Sequence, residues 1–151
     1  MLRLDAVDQR IVAALTSDAR SSYADIGARV ALSAPAVKRR VDRLRAAGVI
    51  RGFTAIVDPA AVGWGTEAFV ELFCVGRTSP SQIAAAARRH PEVVAAYTVS
   101  GDADALVHLR AADIRHLEQA LERLRAEPFV TSTRSTIVLS RLVDHAPVPG
   151  N

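Results

Sequence analysis

Residues 33–48, SAPAVKRRVDRLRAAG, leave a chain little choice of fold. Val37, Val41 and Leu44 recur at four and three residues, the spacing of a narrow apolar seam along one helix. With Val37 at zero on the helical wheel, Arg39 falls at about 200° and Arg43 at about 240°, beside Pro35 at about 160° and Ala36 at about 260°. Arg40 at about 300° and Lys38 at about 100° flank the seam. Lys38, Arg39, Arg40, Arg43 and Arg45 crowd together with Asp42 as the only acid among them. A helix so divided must lay its seam on a core and turn its cations to water or to a polyanion. A solvated basic surface helix is the plain reading of this stretch in isolation.

The preceding residues favour the polyanion. Leu4, Val7, Ile11 and Leu15 form an apolar stripe at helical spacing, with Asp5 and Asp8 in the first turn, where the helix dipole favours acids. TSDARSS breaks that pattern. Tyr23–Ala31 reads as a short second helix, with Ile26 and Val30 inward and Ser22 as its N-cap. Leu32 and Ser33 form a tight turn. Ser33 caps the third helix, Pro35 occupies its first turn at little cost, and Gly48 suits the position after its end. Three short helices with a basic third predict a helix-turn-helix domain. Its outward face is small at the N-terminal end, which lets it approach base edges. Arginine then supplies a planar fork for guanine or phosphate. Ser33, Pro35, Ala36, Lys38, Arg39, Arg40 and Arg43 are the expected DNA-binding residues. Pro35, Ala36, Arg39 and Arg43 would line the major groove, and Lys38 and Arg40 would meet phosphates unless Arg40 bonds within the domain.

Charge is distributed to match. Residues 1–52 hold ten Arg or Lys against five Asp or Glu, whereas residues 53–151 hold nine against eleven. A basic head on a slightly acidic body suits a polyanion-binding module joined to a part with another task. Lys38 is the only lysine, a bias that makes arginine number a poorer argument than arginine placement.

LDAVDQRIVAAL, LSAPAVKRRVDRL and GVIRGFTAIVDPAAVG together resemble the N-terminal pattern of the bacterial Lrp/AsnC (feast/famine) transcription regulators. The likeness runs through Leu4, Asp5, Asp8, Ile11, Leu15, Arg20, Leu32, Ser33, Val37, Arg40, Val41, Leu44, Gly48, Ile50 and Gly52. Gly27 departs from it, standing where the family more often has alanine; glycine there weakens a helix by up to about 1 kcal/mol. VIRGFTAIVDP reads as a strand over Val49–Val57, and Gly63 and Gly65 bracket Trp64 at a crossing into a second unit. The resemblance implies that this strand pairs with its counterpart in another subunit; a plain linker is the alternative. The expected division is residues 1–52 as the helix-turn-helix domain, 53–66 as hinge strand and linker, and 67–151 as a ligand-sensing and dimerisation domain.

From Glu67 the order is strand (EAFVELFCV), helix from Ser79-Pro80 to Arg89, strand (VVAAYTVS), strand (ALVHLR), helix from Asp113 to Arg125, and strand (VTSTRSTIVL). This is the ferredoxin-like β-α-β-β-α-β order, and it resembles the C-terminal domain of the same family. The fold class expected is therefore α+β: a winged-helix-like helix-turn-helix domain followed by a ferredoxin-like domain. Phe69 and Phe73 alternate with Val70, Leu72 and Cys74 on the first strand. On the second, Val93, Ala95, Tyr97 and Val99 alternate with Val94 and Ala96. A sheet apolar on both faces, with helices enough for one, predicts burial against a partner, hence a homodimer packed sheet to sheet, with tetramer or octamer as higher assemblies.

SGDADA follows the second strand. Gly101 permits a tight turn, and Asp102 and Asp104 stand near its backbone N–H groups. A free amino acid needs a carboxylate for its ammonium and N–H donors for its own carboxylate, and this turn offers both. A solvated hairpin turn is the bland alternative. The resemblance implies that the loop helps form an amino-acid site between subunits or dimers. The effector residues expected are Ser100, Gly101, Asp102 and Asp104, with Thr133 and Ser135 of the last strand completing the pocket from a neighbour.

His90, His108, His116 and His145 have no metal-ligand spacing, and no phosphate loop or nucleophile motif occurs. No metal, cofactor or catalytic residue is expected. Cys74, between Phe73 and Val75, reads as a buried strand residue. No apolar run reaches the length of a membrane span and no signal peptide is evident, which predicts a cytoplasmic protein. Three functions fit: an effector-controlled transcription regulator, an architectural protein that bends DNA with no effector, and a regulatory subunit of a metabolic enzyme. The basic helix-turn-helix disfavours the third.

Overall fold

The computed structural model describes residues 3–143; His145 lies outside them. One compact unit extends to Ala55, and a second covers Ile56–Leu142.

The first unit holds α1 (Ala6–Ser17), α2 (Tyr23–Val30) and α3 (Ala34–Ala46). Each begins at a side-chain cap. Asp5 accepts from the Asp8 amide while Asp8 reaches back to the Asp5 amide, a reciprocal capping box. Ser22 and Ser33 cap α2 and α3, and Pro35 sits in the first turn of α3, as expected. At the end of α3, the Gly48 amide donates to the Arg45 carbonyl and the Val49 amide to the Leu44 carbonyl. That pair of bonds, with Gly48 at φ +72, is a Schellman ending. Ile11, Leu15, Ile26, Val30, Val37, Val41 and Leu44 are buried in one cluster. Burying a side chain of this size is worth about 1.5–3 kcal/mol, so the seam of α3 is what anchors it.

Gly27 proves to be a packing requirement. A Cβ there would overlap the Leu32 carbonyl oxygen of the turn into α3. That turn is tight because Ala31 adopts φ 58 and the Leu32 amide donates to the Gly27 carbonyl.

The strand expected over Val49–Val57 is absent. Residues 51–58 carry no regular secondary structure, and Ile56 is 89% exposed. A strand requires a ladder partner, and the single chain gives this segment none.

The second unit holds β1 (Thr66–Cys74), α4 (Pro80–Ala87), β2 (Val93–Thr98), β3 (Ala105–Ala111), α5 (Ile114–Arg125) and β4 (Val130–Ile137), after a short 3-10 turn at Ala60–Val62. The sheet order is β2-β3-β1-β4, antiparallel throughout. Ala68, Val70, Leu72, Ala105, Val107 and Leu109 are buried with Ile83, Leu117 and Leu124 from the helices. This is the expected ferredoxin-like arrangement. One detail of β2 differs from simple alternation: a register shift between Val93 and Ala95. Val93 consequently packs with the helix-side core, while Ala95 and Tyr97 pair with His108 and Leu106 on the open face.

The open face is less apolar than alternation implies. Phe69 stacks on the His108 ring at 4.8 Å between centroids, and Arg134 lies over Phe73 while pairing with Glu71. Cys74, expected to be buried, is half-buried; burial and then Asp104 push its thiol pKa up.

Candidate nucleic-acid interface and effector turn

α3 is oriented by its buried seam, and its remaining sides follow from that. Ser33, Pro35, Lys38 and Arg39 are exposed and Ala36 is half-buried. These five are thus brought to the accessible side of the N-terminal half of α3. The basic side chains divide in a way the wheel does not give. Lys38 pairs with Asp42 one turn on, at 2.7 Å, and that bond raises the lysine pKa.

Arg40 donates to Asp5 at 2.7 Å and to Asp8 at 2.8 Å. The Arg40 bond, followed by the cap bond from the Asp8 amide, lowers the Asp5 pKa. Arg43, placed outward by the wheel, reaches back to both carboxylate oxygens of Asp8, at 2.8 and 2.6 Å. A wheel gives the direction of Cβ, whereas an arginine spans far enough to turn its fork to a neighbouring helix. Among the described residues, Arg39 and Arg45 are the α3 cations without an ion pair. Sequence reasoning placed Asp5 and Asp8 in the first turn of α1 but missed their part in holding α3. Two acids three residues apart, one of them on the seam side of α1, were the available signal.

In the second unit, the β2–β3 turn presents Ser100, Gly101 and Asp102 to solvent, with Gly101 at φ +132. Asp102 has no hydrogen-bonding partner among the described residues, so its carboxylate is available to a cation. Asp104 is exposed as well and also carries a structural bond. Its carboxylate accepts from the Cys74 amide at 2.7 Å and its own amide donates to the Leu72 carbonyl at 2.9 Å, which extends the β1–β3 ladder past its last pair. Thr133 and Ser135 lie on β4, opposite Leu72 and Val70. Thr133 accepts from Arg125 at 3.0 Å, and Ser135 is exposed. Within one chain the turn and these two residues occupy separate strands of the sheet.

The described residues contain no cluster of three or more His, Cys, Asp or Glu able to hold a metal. None of their helices is long and apolar enough to cross a membrane.

A capped three-helix head with a basic third helix, followed by a ferredoxin-like unit, defines a class: one-chain DNA-binding regulators with a ligand-binding domain. Residues 4–45 match the AsnC-type helix-turn-helix domain, and residues 67–148 match the Lrp/AsnC ligand binding domain. The chain is 55% identical over 147 residues to the HTH-type transcriptional regulator Rv2324 of Mycobacterium tuberculosis, covering 97% of this chain and 99% of that one. Among solved structures, it is similar to the feast or famine regulatory protein Rv3291c from M. tuberculosis complexed with L-methionine. The TM-score is 0.89 at 34% identity, over 97% of this chain and 100% of that one. It also resembles the transcriptional regulator NMB0573/L-Met complex from Neisseria meningitidis. There the TM-score is 0.87 at 26% identity, over 97% and 98% of the two chains. The chain belongs to the Lrp/AsnC family and is a DNA-binding transcriptional regulator.

Proposed function

We propose that this regulator reads DNA through the N-terminal half of α3 and that an amino acid, bound at the β2–β3 turn, alters its DNA binding or assembly. The observation that carries the DNA reading is Arg39, exposed and without an ion pair on the side of α3 opposite its buried seam. Pro35 and Ala36 keep bulk away from the approach to base edges, and Arg39 supplies the bidentate fork. Lys38 meets phosphate, because its exposed pair with Asp42 is weak enough to exchange. Residues 1–52 serve as the DNA-binding domain, 53–66 as the hinge, and 67–151 as the sensing and dimerisation domain. The protein acts in the cytoplasm without catalysis.

The effector reading rests on the turn's chemistry and on the two relatives described with L-methionine. Asp102 takes the ammonium, the Ser100–Gly101 backbone supplies donors for the carboxylate, and Asp104 holds the turn in shape. Thr133 and Ser135 join from a second subunit. A twofold dimer presents two α3 helices to half-sites about 34–36 Å apart or a multiple of that. Effector binding shifts how dimers associate into tetramers or octamers, and so the spacing of the heads.

The test uses a duplex selected by the protein from a randomised pool and its scrambled version, titrated at two salt concentrations with and without pooled amino acids. Preference for the selected duplex that survives the higher salt and moves with the pool is the expected result. Equal binding to both duplexes that collapses with salt leaves counterion release alone, and the architectural reading replaces this one.

A further inference from the structure

We infer that Asp8 is a positioning residue that sets specificity: it withholds the guanidinium groups of Arg40 and Arg43 from the DNA backbone and so leaves base reading to Arg39. The inference deepens the reading of α3 as the DNA-contacting helix and rests on it.

The Asp8 side chain is 1% exposed, yet it belongs to a surface helix. A carboxylate so far from water requires compensating charge. Its Oδ2 accepts from Arg43 at 2.6 Å and its Oδ1 from Arg40 at 2.8 Å, and Asp5 takes a second bond from Arg40 at 2.7 Å. Two acids thus neutralise two arginines. Asp8 cannot follow them outward, because its amide and carboxylate are locked in the α1 capping box with Asp5. The Lys38–Asp42 pair differs in its acid, which lies at the surface where Asp8 is buried. Both its side chains are about half exposed or more, at 61% and 49%, so phosphate can displace it at little cost.

The consequence is a subtraction. Every cation placed on a phosphate adds affinity for all sequences alike and steepens the salt dependence by about 0.9 in log K against log salt. A helix with five cations, two of them withheld, carries a smaller share of sequence-independent binding, while Arg39 retains its base contact. Specificity rises because the background falls.

The test measures salt dependence for the full chain on the selected and scrambled duplexes, with circular dichroism to verify folding. Asp8→Asn is expected to steepen the slope by about 0.9 for each arginine released per head. It should also raise affinity for the scrambled duplex more than for the selected one. Asp5→Asn retains an N-cap residue and removes one partner of Arg40, so it moves the slope in the same direction by less; it serves if the Asp8 variant does not fold. Arg43→Gln is expected to keep the wild-type slope. A slope that falls by about 0.9 per head in Arg43→Gln would place Arg43 on phosphate and overturn the inference. So would equal weakening of both duplexes at constant slope in the Asp variants, the mark of a purely structural role. If the wild type shows no sequence preference, the reading of α3 as a base reader fails, and the slopes of the variants still decide whether Asp8 withholds cations.

Discussion

A glycine inside a helix ordinarily costs about 1 kcal/mol relative to alanine, and Gly27 lies within α2. Gly27→Ala would therefore be expected to stabilise on propensity alone. The Leu32 carbonyl reverses the sign, because it occupies the space a Cβ would need and is backbone, not a movable side-chain tip. Overpacking of this sort costs about 1–3 kcal/mol, and the expected outcome is a net destabilisation measurable by urea unfolding. A more stable Gly27→Ala chain would show that the turn relaxes freely. At Arg39, replacement by alanine should relax sequence preference by about 1–3 kcal/mol, whereas Lys38→Ala should weaken selected and scrambled duplexes alike. Equal effects of the two on both duplexes would remove the assignment of base reading to Arg39. The outward position of Arg39 could be read from the sequence, since direction alone determined it. Arg43 could not, because its fork ends on Asp8 thirty-five residues earlier, and no helical periodicity encodes a contact between helices.

Between elements, three carboxylates act as ties. Glu92, at the start of β2, accepts from His116 and Arg123 of α5 at 2.8 and 2.5 Å. Glu127 receives Arg89 and His90 from the turn after α4 at 2.6 and 3.0 Å. Glu67 on β1 bonds His108 on β3 and Arg141. Burial opposes ionisation of all three, yet their bonds to histidine and arginine prevail and hold each pKa below the ordinary carboxylate value. A carboxylate lowered by folding contributes stability that is complete above its unfolded pKa of about 4.3 and is lost as pH falls through the lower folded value. Thermal melting should accordingly be insensitive to these groups near neutrality and decline below about pH 4. Glu92→Gln should melt lower at neutral pH and decline less on acidification; a decline as steep as wild type would exclude Glu92 as a tie. Strand and helix limits of the elements that form were legible to within a residue or two because caps and prolines mark them, whereas the strand expected over Val49–Val57 is absent. The shift between Val93 and Ala95 was not, since a bulge depends on what the neighbouring strand offers.

At the scale of the whole molecule, the open face of the sheet sets the remaining expectation. Phe69 is 38% and Tyr97 56% exposed on it, and the helices cover only the opposite side. The ion pair of Glu71 with Arg134 and the bond of Glu67 with His108 satisfy polar groups within the face, so a partner could cover it without stranding charge. The expectation of a dimer comes from the excess of apolar strand residues; these internal pairings, which would make burial tolerable, were not visible in alternation alone. Sedimentation at micromolar concentration should give twice the chain mass. Phe69→Asp would set an unpaired charge at the centre of such an interface, where hot-spot losses reach about 2 kcal/mol or more. The dimer should then dissociate at concentrations at least about tenfold higher, with the circular dichroism spectrum retained. A wild-type chain of monomer mass at high concentration, or a Phe69→Asp variant that dimerises undiminished, would place the contact on another surface and leave this face to water.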